Sequence, residues 1–138
     1  MVVVFDNNVI IDALKPNPPF EGQARDMLRL VSEKRIDGFV SANSLTDIFY
    51  VLNKVHGANK TKVIIKNLLR VLDIISVEPA DCVTALEKPM SDFEDALVDS
   101  CAQKINANYI ISRDEAFIKA QTSVEVIAPG EMICYINP

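Results

Sequence analysis

Aspartates stand in this chain where hard-cation or acid–base chemistry would need them. Asp6 directly follows the apolar run Val2-Val3-Val4-Phe5, and Asp114 lies two residues beyond the run Tyr109-Ile110-Ile111-Ser112. Both runs are short, rich in β-formers and free of polar alternation, as in strands buried on both faces. In open parallel α/β sheets, ligands bind beyond the carboxyl ends of the strands, so both aspartates belong on that edge. Each is also a suitable cap for a following helix, so neither is decisive alone.

A third signal is the segment Ser91-Asp92-Phe93-Glu94-Asp95-Ala96-Leu97-Val98-Asp99, in which Asp92, Asp95 and Asp99 are spaced i, i+3, i+7. On a helix they share one face. Like charges at that spacing repel, and no Lys or Arg occurs between Lys88 and Lys104 to offset them. The helix dipole explains Asp92 and Glu94, but Asp95 and Asp99 less well. A bound divalent cation would relieve the repulsion. Asp47 is a fourth candidate, read as lying in the first turn of a helix with Leu45, Ile48, Phe49, Val51 and Leu52 on its apolar side. Dispersed carboxylates suit magnesium or manganese, since magnesium keeps several waters and uses few protein oxygens. They do not suit zinc, because His56 is the sole histidine and Cys82, Cys101 and Cys134 form no CxxC pair. An odd number of scattered cysteines is expected to be buried free thiols in a reducing cytoplasm.

The elements that must position these acids alternate. Strands are expected at Met1–Phe5, Phe39–Ala42, Ile74–Val77, Tyr109–Ser112 and Val124–Ile127. Helices are expected at Asn8–Leu14, Glu21–Lys34, Ser44–Val55, Asn59–Leu72, Ala80–Glu87, Asp92–Asn106 (capped by Ser91) and just after Asp114. This alternation implies right-handed βαβ units. The expected fold is a three-layer α/β/α domain with a four- or five-stranded parallel sheet, a single domain over residues 1–138. No apolar stretch approaches the roughly 18 residues of a membrane span. The N-terminus lacks the basic region of a secretory signal.

The formal net charge of −5 argues against gripping nucleic acid by overall charge. Basic residues are nonetheless clustered. Arg25 and Arg29 are an i,i+4 pair, Lys62, Lys66 and Arg70 form a stripe at four-residue spacing, and Arg113 adjoins Asp114. No acid lies between Asp47 and Asp73, and Lys54 and Lys60 also fall in that stretch.

Four motifs in order resemble the PIN-domain family, and within it the toxin ribonucleases of VapC type. They are Phe5-Asp6-Asn7-Asn8-Val9-Ile10-Ile11-Asp12, the acid at Asp47, Asp92-Phe93-Glu94-Asp95-Ala96-Leu97, and Ile110-Ile111-Ser112-Arg113-Asp114. The resemblance runs from Val3 to about Val126. It implies a metal-dependent ribonuclease acting on single-stranded RNA, with Asp6, Asp47, Asp95 and Asp114 as the metal-site carboxylates. Ser112 matches the strand-end hydroxyl that orients the site, while Asn7, Asp92 and Asp99 are supporting candidates. Two positions depart from the pattern: Asp47 stands where Glu is common, and Asn7 where many members carry a small hydroxyl residue.

The implied reaction is hydrolysis of an RNA phosphodiester by one or two metal ions, with no side-chain nucleophile. The products would carry 5′-phosphate and 3′-hydroxyl ends. RNA contacts are expected from Arg25, Arg29, Lys62, Lys66, Arg70 and Arg113. The toxin of a toxin–antitoxin pair is the first biological reading, with an antitoxin protein and a second copy of the chain as partners. The alternatives are a housekeeping RNA-processing nuclease and a non-catalytic RNA- or protein-binding module. An aspartyl-phosphate enzyme fits poorly, since that pattern needs a second Asp where Asn8 stands.

Overall fold

The computed structural model describes residues 1–138. Five parallel strands form one sheet: β1 (Val2–Phe5), β2 (Asp37–Ser41), β3 (Asp73–Ile75), β4 (Tyr109–Ile111) and β5 (Val126–Ile127), in the order β3-β2-β1-β4-β5. The helices are α1 (Asn7–Leu14), α2 (Glu21–Ser32), α3 (Ala42–His56), α4 (Ala58–Leu68), α5 (Pro79–Glu87), α6 (Phe93–Lys104), α7 (Glu115–Lys119) and α8 (Pro129–Ile136).

Side chains alternate across each strand, and the two faces carry separate cores. Val3 and Phe5 join a cluster with Val9, Ile10, Met27, Ile48, Leu52 and Met132. Val4, Ile110 and Val126 join Val98, Cys101, Ala102 and Phe117 on the opposite face. Covering both faces is what lets runs such as Val-Val-Val-Phe be continuously apolar.

The chain winds outward from β1 through β2 to β3, then crosses to the other side of β1 for β4 and β5. The winding therefore reverses between β1 and β4, where Phe5 pairs with Ile111. Such a reversal opens a crevice at the carboxyl ends of the two strands.

Several elements differ from expectation. Helix α3 starts at Ala42, with Ser41 as its N-cap. Asp47 therefore lies in its second turn, beyond the reach of a capping role. The cap of α6 is Asp92 rather than Ser91, its side chain accepting from the Asp95 backbone N–H. Helix α4 ends at Leu68, so Arg70 falls in the turn that follows. Helix α8 was not expected, although Pro129 in its first turn is a helix-start signal. Of the three thiols Cys101 is buried, Cys82 half-buried and Cys134 exposed. No helix is long and apolar enough to cross a membrane.

Candidate metal centre at the sheet edge

The crevice between β1 and β4 is a cavity of about 390 Å³ lined by Asp6, Asn7, Asn8, Ile11, Asp47, Tyr50, Val51, Asp92, Glu94, Asp95 and Asp114. Six of these residues carry carboxyl groups and none is basic. Four elements supply the acids. Asp6 ends β1 and caps α1, Asp47 comes from α3, Asp92, Glu94 and Asp95 come from the start of α6, and Asp114 follows β4 and caps α7. Capping and lining the crevice turn out to be the same placement for Asp6 and Asp114. A strand that ends at the functional edge hands its next residue both the cavity and the N-terminus of the following helix.

Asp6 is the most constrained of the set, at 5% exposure. Its Oδ1 accepts from the Asn7 backbone N–H at 2.8 Å. Its Oδ2 accepts from Ser112 Oγ at 2.8 Å and from Asn8 Nδ2 at 3.2 Å. Ser112 Oγ also accepts from the Asp114 backbone N–H at 3.1 Å, so one buried hydroxyl ties the two strand-end aspartates together. Asn7 Nδ2 donates to Asp47 Oδ2 at 3.2 Å and to Glu94 Oε1 at 2.9 Å. The asparagine at this departure from the motif thus bridges α3 and α6 across the crevice, a link that a small hydroxyl residue is too short to make.

The electrostatics follow from crowding without compensation. Burial pushes Asp95 up to about 7, with the charges of Asp92, Asp6, Asp114 and Glu94 adding to the rise. Burial also lifts Glu94 to about 7, helped by its hydrogen bond with Asp47 and by the charges of Asp47, Asp6 and Asp92. Asp6 is raised by burial, against the lowering effect of its bonds from Ser112 and Asn7. Carboxyl groups that stay protonated for want of a counter-charge form a site prepared for a cation. No three acidic side chains stand in ready-made coordination geometry. What fits a hard cation is the donor chemistry, since the charged lining is carboxylate alone and such ions take oxygen ligands while keeping much of their own water.

Asp99 does not belong to this group. It is fully buried, its Oδ2 meets Lys88 Nζ at 2.8 Å, and it accepts from the Ser123 and Val124 backbone N–H groups at 2.9 and 3.0 Å. The counter-charge comes from Lys88, the residue that bounds the acidic stretch on its N-terminal side. Arg113 is likewise engaged, with both Nε and Nη2 donating to the buried Asp12 carboxylate and its guanidinium 4.2 Å over the Phe20 ring. Arg25 pairs with Glu21 and Arg29 with Asp26, so the acids of their own helix neutralise them.

None of Arg25, Arg29, Lys62, Lys66 and Arg70 lines the acidic cavity. Arg70 lies with Lys34, Asp37 and Asp73 at the start of β2 and β3, the sheet edge opposite the acids. The reason is topological, because α4 must return the chain to the edge where the parallel strand β3 begins. Lys54 is closer, its Nζ 4.2 Å from the centre of the Tyr50 ring, which lines the crevice. Sequence reasoning missed Glu94 and Asn8 as site residues. Glu94 stands inside the acidic motif, where a helix dipole partly accounts for it and so hides its second role.

A family model described as the PIN domain matches residues 2–116. The chain is 28% identical over 136 residues to Ribonuclease VapC1 of Aquifex aeolicus, covering 94% of this chain and 91% of that protein. In fold it is similar to VapC20 of Mycobacterium tuberculosis, described as a sarcin-ricin loop cleaving toxin, with TM-score 0.68 and 16% identity over 87% of this chain and 95% of that one. It is similar also to a chain of a toxin-antitoxin complex from Klebsiella pneumoniae, with TM-score 0.67 and 18% identity over 92% of this chain and 97% of that one.

Proposed function

The chain belongs to the PIN-domain family, and from that premise we propose that it is an endoribonuclease that hydrolyses RNA phosphodiesters with magnesium or manganese. The observation that carries the reading is the crevice itself, six carboxyl groups and no basic side chain at the point where the sheet reverses its winding. Residues 1–138 act as one nuclease domain in this reading.

Asp6, Asp95 and Asp114 would hold the metal, with Asp47 and Glu94 across the crevice completing the negative field. A bound divalent ion supplies positive charge to the phosphate oxygens and a more acidic water as nucleophile. The protein's own contribution is orientation. Ser112 and Asn8 fix the Asp6 carboxylate, which would present it to an ion without a rotamer search. Asn7 holds Asp47 and Glu94 together and sets the width of the crevice.

The names of the similar proteins, a ribonuclease and members of toxin–antitoxin complexes, support the role of toxin paired with an antitoxin protein. A cytoplasmic location goes with RNA as substrate. A short upstream reading frame for a DNA-binding antitoxin is the genomic expectation, and its absence would favour a housekeeping RNA-processing role.

The direct test measures the thermal midpoint and RNA cleavage in EDTA, magnesium and manganese at pH 7. Metal should raise the midpoint by mass action and switch cleavage on. An unchanged midpoint together with cleavage in EDTA would defeat the metal-site assignment.

A further inference from the structure

A second cavity, also about 390 Å³, lies on the same edge of the sheet and includes Phe20, Gln23, Ile118 and Glu131 in its lining. It adjoins the acidic crevice. Ile11 lines the crevice and Asp12 this cavity; Asp114 lines the crevice, and Arg113 and Glu115 on either side of it line this cavity. The partition is the Arg113–Asp12 ion pair. It is anchored to the crevice by the Arg113 backbone N–H, which donates to Asn8 Oδ1 at 3.4 Å.

The two cavities differ in chemistry. Here the charges cancel locally, since Arg113 neutralises Asp12 and Lys119 lies 4.0 Å from Glu115. Glu131 is the one lining acid outside an ion pair. Arg113 is committed to Asp12, which leaves the exposed Lys119 as the cation a neighbouring phosphate could meet. Ala24, Ile118, Ala128 and Pro129 make an apolar floor. Phe20 is 40% exposed and already stacks against the planar guanidinium of Arg113. The Gln23 amide packs against Gly130, where an added Cβ would sit 2.8 Å from its Nε2, so the bare glycine leaves room for that amide at the rim. The volume lies within the usual span of small-ligand pockets.

We propose that this cavity is a nucleobase subsite: it receives the base of a nucleotide flanking the phosphodiester held at the acidic crevice. The inference rests on the ribonuclease reading and deepens it by naming what sets sequence preference. Phe20 supplies stacking surface, which tolerates any base. Glu131 offers only acceptors, and the Gln23 amide offers both donors and an acceptor, so the rim favours a base with N–H donors on its edge.

The test is an abasic scan. A short single-stranded RNA substrate is made in a series, each member lacking one base near the cut. kcat/KM is measured with magnesium, and affinity by fluorescence anisotropy in calcium. The wild type should lose roughly tenfold in both at one position beside the cut. Phe20→Ala, a change at a partly exposed position whose folding is checked by its thermal midpoint, should start lower and lose little more at that position. Gln23→Ala should keep the abasic penalty but narrow the differences among the four bases there. A flat scan in an active wild type, or an undiminished penalty in Phe20→Ala, overturns the subsite and leaves the ribonuclease standing; a cavity used for protein docking would give that flat scan. A wild type that cleaves no RNA with either metal overturns both.

Discussion

Asp95 and Asp99 lie one helical turn apart on α6 and share the same sequence signal, yet the fold treats them oppositely. Asp99 is fully buried but compensated by Lys88 and two backbone N–H groups. Asp95 is only half-buried but faces Asp92, Asp6, Asp114 and Glu94, and it rises to about 7. Burial of a charge therefore does not identify a site. What identifies it is burial without a counter-charge, since that leaves work for a ligand to do.

The largest expected effect falls on the compensated residue. Asp99→Ala leaves Lys88, itself 8% exposed in its side chain, without its partner. Breaking a buried pair from one side costs about 3–5 kcal/mol, to be read from denaturant unfolding. The folded fraction should still respond to magnesium. If the variant kept wild-type stability but lost its metal response and cleavage, the contrast between the two turns would fail.

Asp95→Asn should do the reverse. Cleavage should fall by a factor on the order of 10²–10³, the scale of weakening the cation that stabilises the reacting phosphate. The metal-free protein should be no less stable than wild type at pH 7, because a repelled carboxylate has been neutralised. Asp6→Asn and Asp114→Asn should lose cleavage alike. Wild-type turnover in any of the three would remove that residue from the centre.

Next in size is a dependence on pH without metal. Asp95 and Glu94 are raised in the folded protein from ordinary values of 3.8 and 4.5 to about 7. The folded state thus holds protons that the unfolded state has released. The stability these groups contribute is fully present below about pH 4 and is lost as pH rises through about 7. In EDTA the thermal midpoint of wild type should fall between pH 5 and 8 relative to that of Asp95→Asn, and the difference should shrink with magnesium. Parallel curves would show that Asp95 is not under repulsion.

The smallest effect concerns the basic residues. Lys54 stands over Tyr50 beside the crevice, whereas Arg70 sits at the opposite edge. In a salt series with single-stranded RNA in calcium, Lys54→Ala should flatten the slope by about 0.7, the loss of one phosphate contact. Replacing Lys62, Lys66 and Arg70 together should change it less. A larger change from the triple variant would mean that RNA wraps around α4.

Much of this was legible in the order of residues. A parallel sheet buried on both faces needs unbroken apolar runs, so β1 and β4 could be found and the acids just beyond them assigned to one edge. Helical periodicity put Asp92, Asp95 and Asp99 on one face. It could not say which of them meets a cation, because Lys88 reaches Asp99 across the α5–α6 turn and lies outside the window in which local pairs act. Spacing made Lys62, Lys66 and Arg70 a stripe but said nothing of where α4 points.

By itself, then, the sequence determined the alternation of strands and helices, the sheet edge that carries Asp6 and Asp114, and the family, because these rest on local periodicity and on short contiguous motifs. Only the tertiary structure decided that Asn8 and Glu94 join the crevice, that Asp99 and Arg113 are neutralised by Lys88 and Asp12, and that Arg70 lies on the far edge. Each of those outcomes depends on the distance between side chains far apart in the chain, and the electrostatic fate of a charge is set by whatever packing brings within a few ångströms of it.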